Sequence, residues 1–332
     1  MHPHLFKIPI LNLNISTFGP MMVLGFLAAL LLMRRLCKRA NLDYTVMTNA
    51  ALYSLIAGVL GARIFFVFHH LDKFRGDLLG VIATWRGGLE FLGGVIVATC
   101  LLLLYLYFRK LPVRRYLDII VIGLMMGLAF GRIGCFLNAD CFGKPTTLPW
   151  GVRFPYGSFV YNSQINPDPK RNRTEPHLHL PQADYLDSYD QKGKWYPKPL
   201  EALTPTQRHE VTKGKYRCLP VHPSQLYSSA NALLLSLILY LFWRRGLKRA
   251  GSNKPPRRLD RPGAITALML ILYGFTRFLI EFIRDDNPYE FLSLTISQIL
   301  GVVMIISGTV LLTLLPYFKP YTTPDAKVSQ TQ

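Results

Sequence analysis

The chain has 332 residues, half of them hydrophobic, and a formal net charge of +19. That apolar content, with a positive mean hydropathy, excludes an ordinary soluble protein of this charge. So basic a chain would suit a nucleic-acid binder, but the charge sits in short clusters beside apolar runs. That is the pattern of membrane topology and anionic lipid, and no nucleic-acid partner is expected.

Residues 1–16 mix polar and apolar types without a basic leader or a small-residue cleavage site, so no removable signal peptide is expected. Seven apolar runs of about 20 residues follow, each long enough to cross a bilayer. The first, over 17–33, ends in Arg34, Arg35, Lys38 and Arg39. The second, over 49–68, carries Arg63 near its far end, and a loop from His69 to Arg86 follows. The third, over 89–107, is entered through Gly87, Gly88, Gly93 and Gly94 and ends in Arg109, Lys110, Arg114 and Arg115. The fourth covers 117–137. Residues 138–222 form a long polar insert, either an extracytoplasmic loop or a small head domain. Its dense Pro, Asp and Lys around 165–200 lean toward irregular structure. The fifth run, 225–243, precedes a basic loop; the sixth and seventh cover 264–282 and 295–316. The expected fold class is an all-α integral membrane protein with seven transmembrane helices and a large extracytoplasmic insert. Helices 1–4 lie in 1–137, the insert in 138–222, helices 5–7 in 223–318 and a cytoplasmic tail in 319–332.

Seven spans put the termini on opposite sides. The loops after spans 1, 3, 5 and 7 carry 18 Lys and Arg, whereas the short segments on the other side carry five. The positive-inside rule then places the N-terminus outside and the C-terminus in the cytoplasm. The five cysteines, Cys37, Cys100, Cys135, Cys141 and Cys218, form no disulfide framework and have no zinc spacing with histidines. No metal and no cofactor is expected. Cys135 and Cys141 could pair in an oxidising space, though the plainer role of each is a small packed residue.

Intramembrane arginine is costly and marks function by default. On this topology Arg132 lies about five residues from the outer end of its span, roughly 8 Å in at ~1.5 Å per residue. Arg277 and Arg63 fall at a similar depth, the level of lipid headgroups. The plain alternative is that each arginine snorkels to the interface. Tyr273, Arg277, Glu281 and Arg284 share one helical face, and Arg277 and Glu281 are an i,i+4 ion pair. That pair is either structural, or Glu281 holds a guanidinium whose free donors face a ligand. Gly123, Gly127, Gly131 and Gly134 permit close helix packing. The glycine pairs 87–88 and 93–94 either pack or let backbone approach something bulky. In His222-Pro223-Ser224-Gln225-Leu226-Tyr227, Ser224 reads as a helix N-cap and Tyr227 as an interfacial anchor, with His222 or Gln225 as candidates for a polar pocket. Two guanidinium forks at headgroup depth fit one phosphate, and would also stabilise it as a leaving group. Binding without reaction fits the same residues.

These blocks resemble the phosphatidylglycerol–prolipoprotein diacylglyceryl transferases, integral-membrane enzymes of bacteria. The matching pieces are Trp85-Arg86-Gly87-Gly88-Leu89 through Gly93-Gly94, Gly131-Arg132-Ile133-Gly134-Cys135-Phe136-Leu137-Asn138 with Cys141-Phe142-Gly143, and His222 to Tyr227. Tyr273-Gly274-Phe275-Thr276-Arg277-Phe278 with Glu281 and Arg284, and Ser297-Gln298-Ile299-Leu300, complete them. The resemblance implies an enzyme of the bacterial plasma (inner) membrane. Its partners would be phosphatidylglycerol, the surrounding membrane lipid and a prolipoprotein with its signal peptide and lipobox cysteine. The cysteine thiol would attack the phosphate-bearing glycerol carbon, forming a thioether and releasing glycerol phosphate. By the match, Arg132 and Arg277 are catalytic and bind phospholipid, Glu281 orients Arg277, and Asn138, Gly93 and Gly94 also bind phospholipid.

The chain departs from the pattern where the family often has His or Tyr, at Leu92, and where Tyr is usual, at Phe18. Cys135 stands where Asn is frequent, and Asp140 replaces a common Glu or Cys. The general base must then be replaced, with Asp140, Glu90, Glu281 or His222 as candidates, or the enzyme is slower. A silent anionic-lipid-binding protein of the same fold is the alternative. A transporter would need a polar path into the cytoplasmic half, and none is legible.

Overall fold

The computed structural model describes residues 4–8, 13–74, 78–82, 87–189, 193–251 and 257–318. Trp85 and Arg86 of the first matching block, and the tail 319–332, lie outside the described residues. All seven expected spans are helices: α1 (Phe18–Arg39), α2 (Tyr44–His69), α3 (Phe91–Phe108), α4 (Val113–Asn138), α5 (Ser224–Ala250), α6 (Ala264–Glu281) and α7 (Ile296–Leu314). Each is long and apolar enough to cross a membrane. Short antiparallel ribbons complete the secondary structure: β1 (His4–Ile8) with β2 (Leu13–Ser16), β3 (Leu186–Tyr189) with β4 (Trp195–Pro197), and β5 (Tyr289–Phe291) with β6 (Leu294–Thr295).

The chain divides into two compact units. The first comprises Met1–Ala28, Leu124–Leu241 and Ala267–Thr313. Its helices approach through glycine. A Cβ on Gly274 would lie 2.6 Å from the Gly301 carbonyl oxygen, and one on Gly301 would lie 2.8 Å from that of Gly274. This reciprocal contact presses α6 onto α7. Gly25 meets α4 in the same way, 3.0 Å from the Gly127 carbonyl oxygen. The polar insert has a core of its own, built from Ala139, Phe142, Phe154, Val160, Tyr161, Ile165, Leu178, Leu186, Cys218 and Val221. Its described residues include a six-residue helix, Phe159–Gln164, and an eight-residue helix, Pro205–Thr212, closed by a Thr204–Gln207 capping box. Between 165 and 200 the described residues run mostly through turns, bends and pieces of three or four residues, as the composition leans, yet Ile165, Leu178 and Leu186 join this core. Widely spaced aromatic and aliphatic residues from across the insert supply a core that local composition hides.

The second unit comprises Ala29–Gly123, Phe242–Thr266 and Leu314–Gln332. Here α2 packs on α3 through Gly58, Gly61, Gly93 and Gly94. Asp118 on α4 is buried and accepts from the Gly263 and Thr266 amides at 2.6 and 2.9 Å and from the Thr266 hydroxyl at 2.8 Å. It satisfies the first amides of α6, so this intramembrane acid, not weighed from the sequence, has a structural account.

Candidate active site

The first unit gathers the functional blocks around the ends of α4 and α6. Helix α4 stops in a Schellman turn. The Asp140 amide bonds the Cys135 carbonyl at 3.1 Å and the Ala139 amide bonds the Phe136 carbonyl at 3.3 Å. Ala139 stands at φ +60° and Cys141 at φ +55°, conformations that side chains with a Cβ adopt at a cost. The turn is tied down from α5. The Gln225 amide donates to the Asp140 carbonyl at 2.6 Å and the Ser224 hydroxyl to the Cys141 carbonyl at 2.7 Å. Ser224 is thus not the expected N-cap, because its hydroxyl reaches across to another segment. Asn138 donates to Asp140 Oδ2 at 2.8 Å, while Asp140 Oδ1 is buried without a hydrogen-bond partner.

Residues 142–144 then run between two other strands of chain. The Asp285 amide bonds the Phe142 carbonyl at 3.1 Å, the Gly143 amide the His222 carbonyl at 3.1 Å and the Lys144 amide the Ile283 carbonyl at 2.8 Å. Gly143 has no room for a Cβ, which would sit 2.6 Å from the His222 carbonyl oxygen. This pairing aligns the α4 turn, the start of α5 and the end of α6.

On α6 the expected ion pair is present, with Arg277 Nη1 2.8 Å from Glu281 Oε2 and the glutamate side chain 1% exposed. The Arg277 guanidinium also donates to the Ser297 hydroxyl at 2.6 Å, and Asn287 donates to Glu281 Oε1 at 2.5 Å. The β5–β6 ribbon turns through Leu292 and Ser293, both at positive φ, and delivers Ser297 to the start of α7. A Thr295–Gln298 capping box fixes that start, at 3.3 and 3.0 Å. Arg284 grips Asp286 at 2.8 Å through Nε and lies 3.9 Å from Glu281. Beyond it, Asp285 receives Arg171 at 3.1 Å, Arg173 at 2.8 Å and His177 at 3.4 Å from the insert. Burial works against ionising Asp285, but His177 and the two guanidiniums outweigh it and hold the carboxyl below the usual carboxylate range. Asn287 and the Asp285 cluster were not found by sequence reasoning. Asp285 joins residues of the insert more than a hundred positions away, and Asn287 reaches back to Glu281 only because the chain turns after α6, so neither leaves a local pattern.

Arg132 belongs to this group. It interacts electrostatically with Tyr273, Arg284, Cys135 and Cys141, and Arg277 with Tyr273, Arg284 and Arg132. The Arg132 side chain is half-buried, and among the described residues its guanidinium has no hydrogen-bond or ion-pair partner. Three guanidiniums thus share one region, two of them committed to acids and one uncommitted. Sulfur and carboxylate atoms of Cys135, Cys141 and Asp140 lie within 4.8 Å of one another. That is the spacing for a soft cation, which Arg132 and Arg284 alongside would repel. His222 lies at the edge of the site, its ring nitrogen 3.4 Å from the Tyr227 hydroxyl, which also accepts from Trp150 at 2.7 Å.

The remaining expected residues lie in the second unit. Arg63 does not offer a free fork. Its Nε donates to the Val81 carbonyl at 2.9 Å, its Nη1 to those of Gly87 and Gly88 at 2.6 and 2.8 Å, and its Nη2 to Gly80. The expectation of a third headgroup arginine is corrected, because the carbonyls of Gly80, Val81, Gly87 and Gly88 occupy all three nitrogens. Gly87 and Gly88, at φ +83° and +80°, turn those carbonyls inward. Gly93 and Gly94, expected at the phospholipid, are buried. A Cβ on Gly93 would meet Phe65 at 2.3 Å and one on Gly94 the Gly58 carbonyl at 2.8 Å, so α2 fills the space they leave. Glu90 pairs with His69 at 2.8 Å, a dyad the sequence reading passed over because His69 looked like a loop residue.

Fold and site together define a seven-helix membrane protein with an arginine cluster at the ends of two spans. The chain matches the prolipoprotein diacylglyceryl transferase family over residues 3–314, and it belongs to that family. It is similar to the phosphatidylglycerol–prolipoprotein diacylglyceryl transferase of Burkholderia cenocepacia strain HI2424, 29% identical over 89% of each chain. Proteins of the same name from Aeromonas salmonicida and Buchnera aphidicola are 27% and 29% identical, over 90% and 92% of this chain and 85% and 96% of theirs.

Proposed function

We propose that the protein transfers the diacylglyceryl group of phosphatidylglycerol to the lipobox cysteine of a prolipoprotein signal peptide. A carbon–sulfur bond forms at the glycerol carbon, the carbon–oxygen bond to phosphate breaks, and glycerol phosphate leaves with the electron pair. The reaction takes place at the outer face of the bacterial inner membrane, with the N-terminus outside and the C-terminus in the cytoplasm, as the distribution of basic residues supports.

The observation that carries this reading is the uncommitted, half-buried Arg132 guanidinium beside Arg277 and Arg284. A permanent cation with free donors in a poorly hydrated place calls for an anion, and a guanidinium fork matches phosphate. Arg277, fixed by Glu281 and Ser297, acts with it on the same phosphate, and both stabilise the charge that builds there as the bond breaks. Glu281 orients Arg277 and is not the base, since two arginines and Asn287 already surround its carboxylate. Asn138 fixes one oxygen of Asp140 and leaves Oδ1 free to take the thiol proton, which makes Asp140 the favoured base over His222 and Glu90. The thiol needs little help, because nearby guanidiniums lower its pKa.

Incubation of purified protein with phosphatidylglycerol and a lipobox peptide tests the reading. Glycerol phosphate should appear in step with peptide carrying the diacylglyceryl mass. Peptide of unchanged mass, with lipid bound but intact, would leave the silent lipid-binding protein instead.

A further inference from the structure

The Schellman turn that closes α4 does more than end a helix. By bonding the Asp140 amide back to the Cys135 carbonyl it folds Cys141 over the last turn of α4. The two sulfurs come within 4.8 Å of each other. Both residues are partly exposed, whereas Cys218 is buried in the insert core. We infer that Cys135 and Cys141 form a reversible dithiol–disulfide couple that sets the charge facing Arg132. Nothing in the transfer reaction requires this pair.

The charges around Cys141 favour its thiolate. The neighbouring Cys135 thiol leads; burial opposes it; Arg284 and Arg132 assist and Asp286 opposes, with the net result that the Cys141 thiol is lowered from its ordinary value. Asp140 is the remaining charged neighbour of the pair. Burial instead raises the Cys218 thiol to about 11, so Cys218 is a poor competitor. An external disulfide, such as oxidised glutathione, serves as the oxidant. The Cys141 thiolate attacks one of its sulfurs and releases one thiolate. Cys135 then gives up its proton, attacks the Cys141 sulfur and displaces the second thiolate. The two protein sulfurs are oxidised and one external disulfide is reduced; one departing sulfur leaves as thiolate and the other takes up the Cys135 proton.

The two states present different charge to a lipid phosphate. In the dithiol form an anionic Cys141 competes for Arg132 and Arg284. In the disulfide form that anion is gone. The oxidised protein therefore binds phosphatidylglycerol more tightly, by roughly threefold to tenfold about one pH unit above 7. The gap closes one unit below, where Cys141 is protonated. This consequence rests on the proposed use of Arg132; formation of the disulfide does not.

Full-length protein in nanodiscs, equilibrated with oxidised or reduced glutathione, is alkylated and mapped by mass. Oxidation should protect Cys135 and Cys141 together, with the loss of two hydrogens, and reductant should reverse it. In the Cys135→Ser variant, Cys141 should carry a glutathione adduct instead. Thiols that stay fully alkylatable, or a disulfide to another cysteine, would overturn the couple. Equal affinity of the two forms for phosphatidylglycerol at the higher pH would overturn its control of charge. The disulfide is read from mass alone, so a protein silent in transfer would count against the proposed reaction and not against the couple.

Discussion

Arg132 and Arg277 differ in what surrounds them, and their replacements should separate. Arg132 has no hydrogen-bond or ion-pair partner among the described residues, so Arg132→Ala should leave stability within about 0.5 kcal/mol of wild type. It should lower the transfer rate by about 10²-fold or more, as removing one charge-stabilising donor does. Arg277→Ala also breaks a buried ion pair, leaving Glu281 with Asn287 and the more distant Arg284, and should cost about 3 kcal/mol of stability besides activity. Unfolding by denaturant alongside the rate measurement distinguishes the two. The Arg277–Glu281 pair was legible in the sequence because helical spacing places those residues together. The failure of Arg63 as a ligand was not legible, because its acceptors are backbone carbonyls, which every sequence supplies. Likewise the role of Asp285 depends on three residues of the insert that no local spacing links to it.

At the scale of elements, the end of α6 is held by pairing of chain segments and by charge. Gly143→Ala would drive a methyl group into the His222 carbonyl and Cβ, both fixed by the surrounding pairing. An unfolding measurement should show a loss of about 1–3 kcal/mol, with activity reduced in parallel. Asp285 joins the insert to the same place. Its folded pKa is depressed by His177, Arg173 and Arg171. The stability it contributes is therefore fully present above the ordinary carboxylate pKa and is lost as pH falls through the lower, folded value. The acid limb of a thermal-stability profile should consequently be flatter in Asp285→Asn than in wild type. A variant profile that fell as steeply would deny the cluster this role. Although α1 and α5 run on past the apolar stretch through basic residues to Arg39 and Ala250, and α2 begins earlier, at Tyr44, the seven long helices were readable from their apolar runs. The ordered core of the insert was not, because Phe142, Phe154, Tyr161, Ile165 and Cys218 are dispersed among prolines and charges.

For the whole molecule, the apolar helices are long enough to cross a bilayer, and the proposed orientation rests on the distribution of basic residues. A cysteine introduced in the insert should react with an impermeant maleimide added to intact cells, and one introduced in the 251–257 loop should not; the reverse pattern would invert the topology. Family membership and the arginine cluster then converge on one chemistry, the removal of a phosphate head from a lipid by a thiol. On the proposed reading the Asp140 carboxylate in the α4 turn takes the thiol proton, so Asp140→Asn should slow transfer by about 10²-fold and steepen its dependence on pH. The most direct test of the central claim is the mass of a lipobox peptide after incubation with phosphatidylglycerol and either wild-type or Arg132→Ala protein, each shown to be folded. The account predicts full diacylglyceryl modification by wild type and almost none by the variant. Equal modification by both would contradict it.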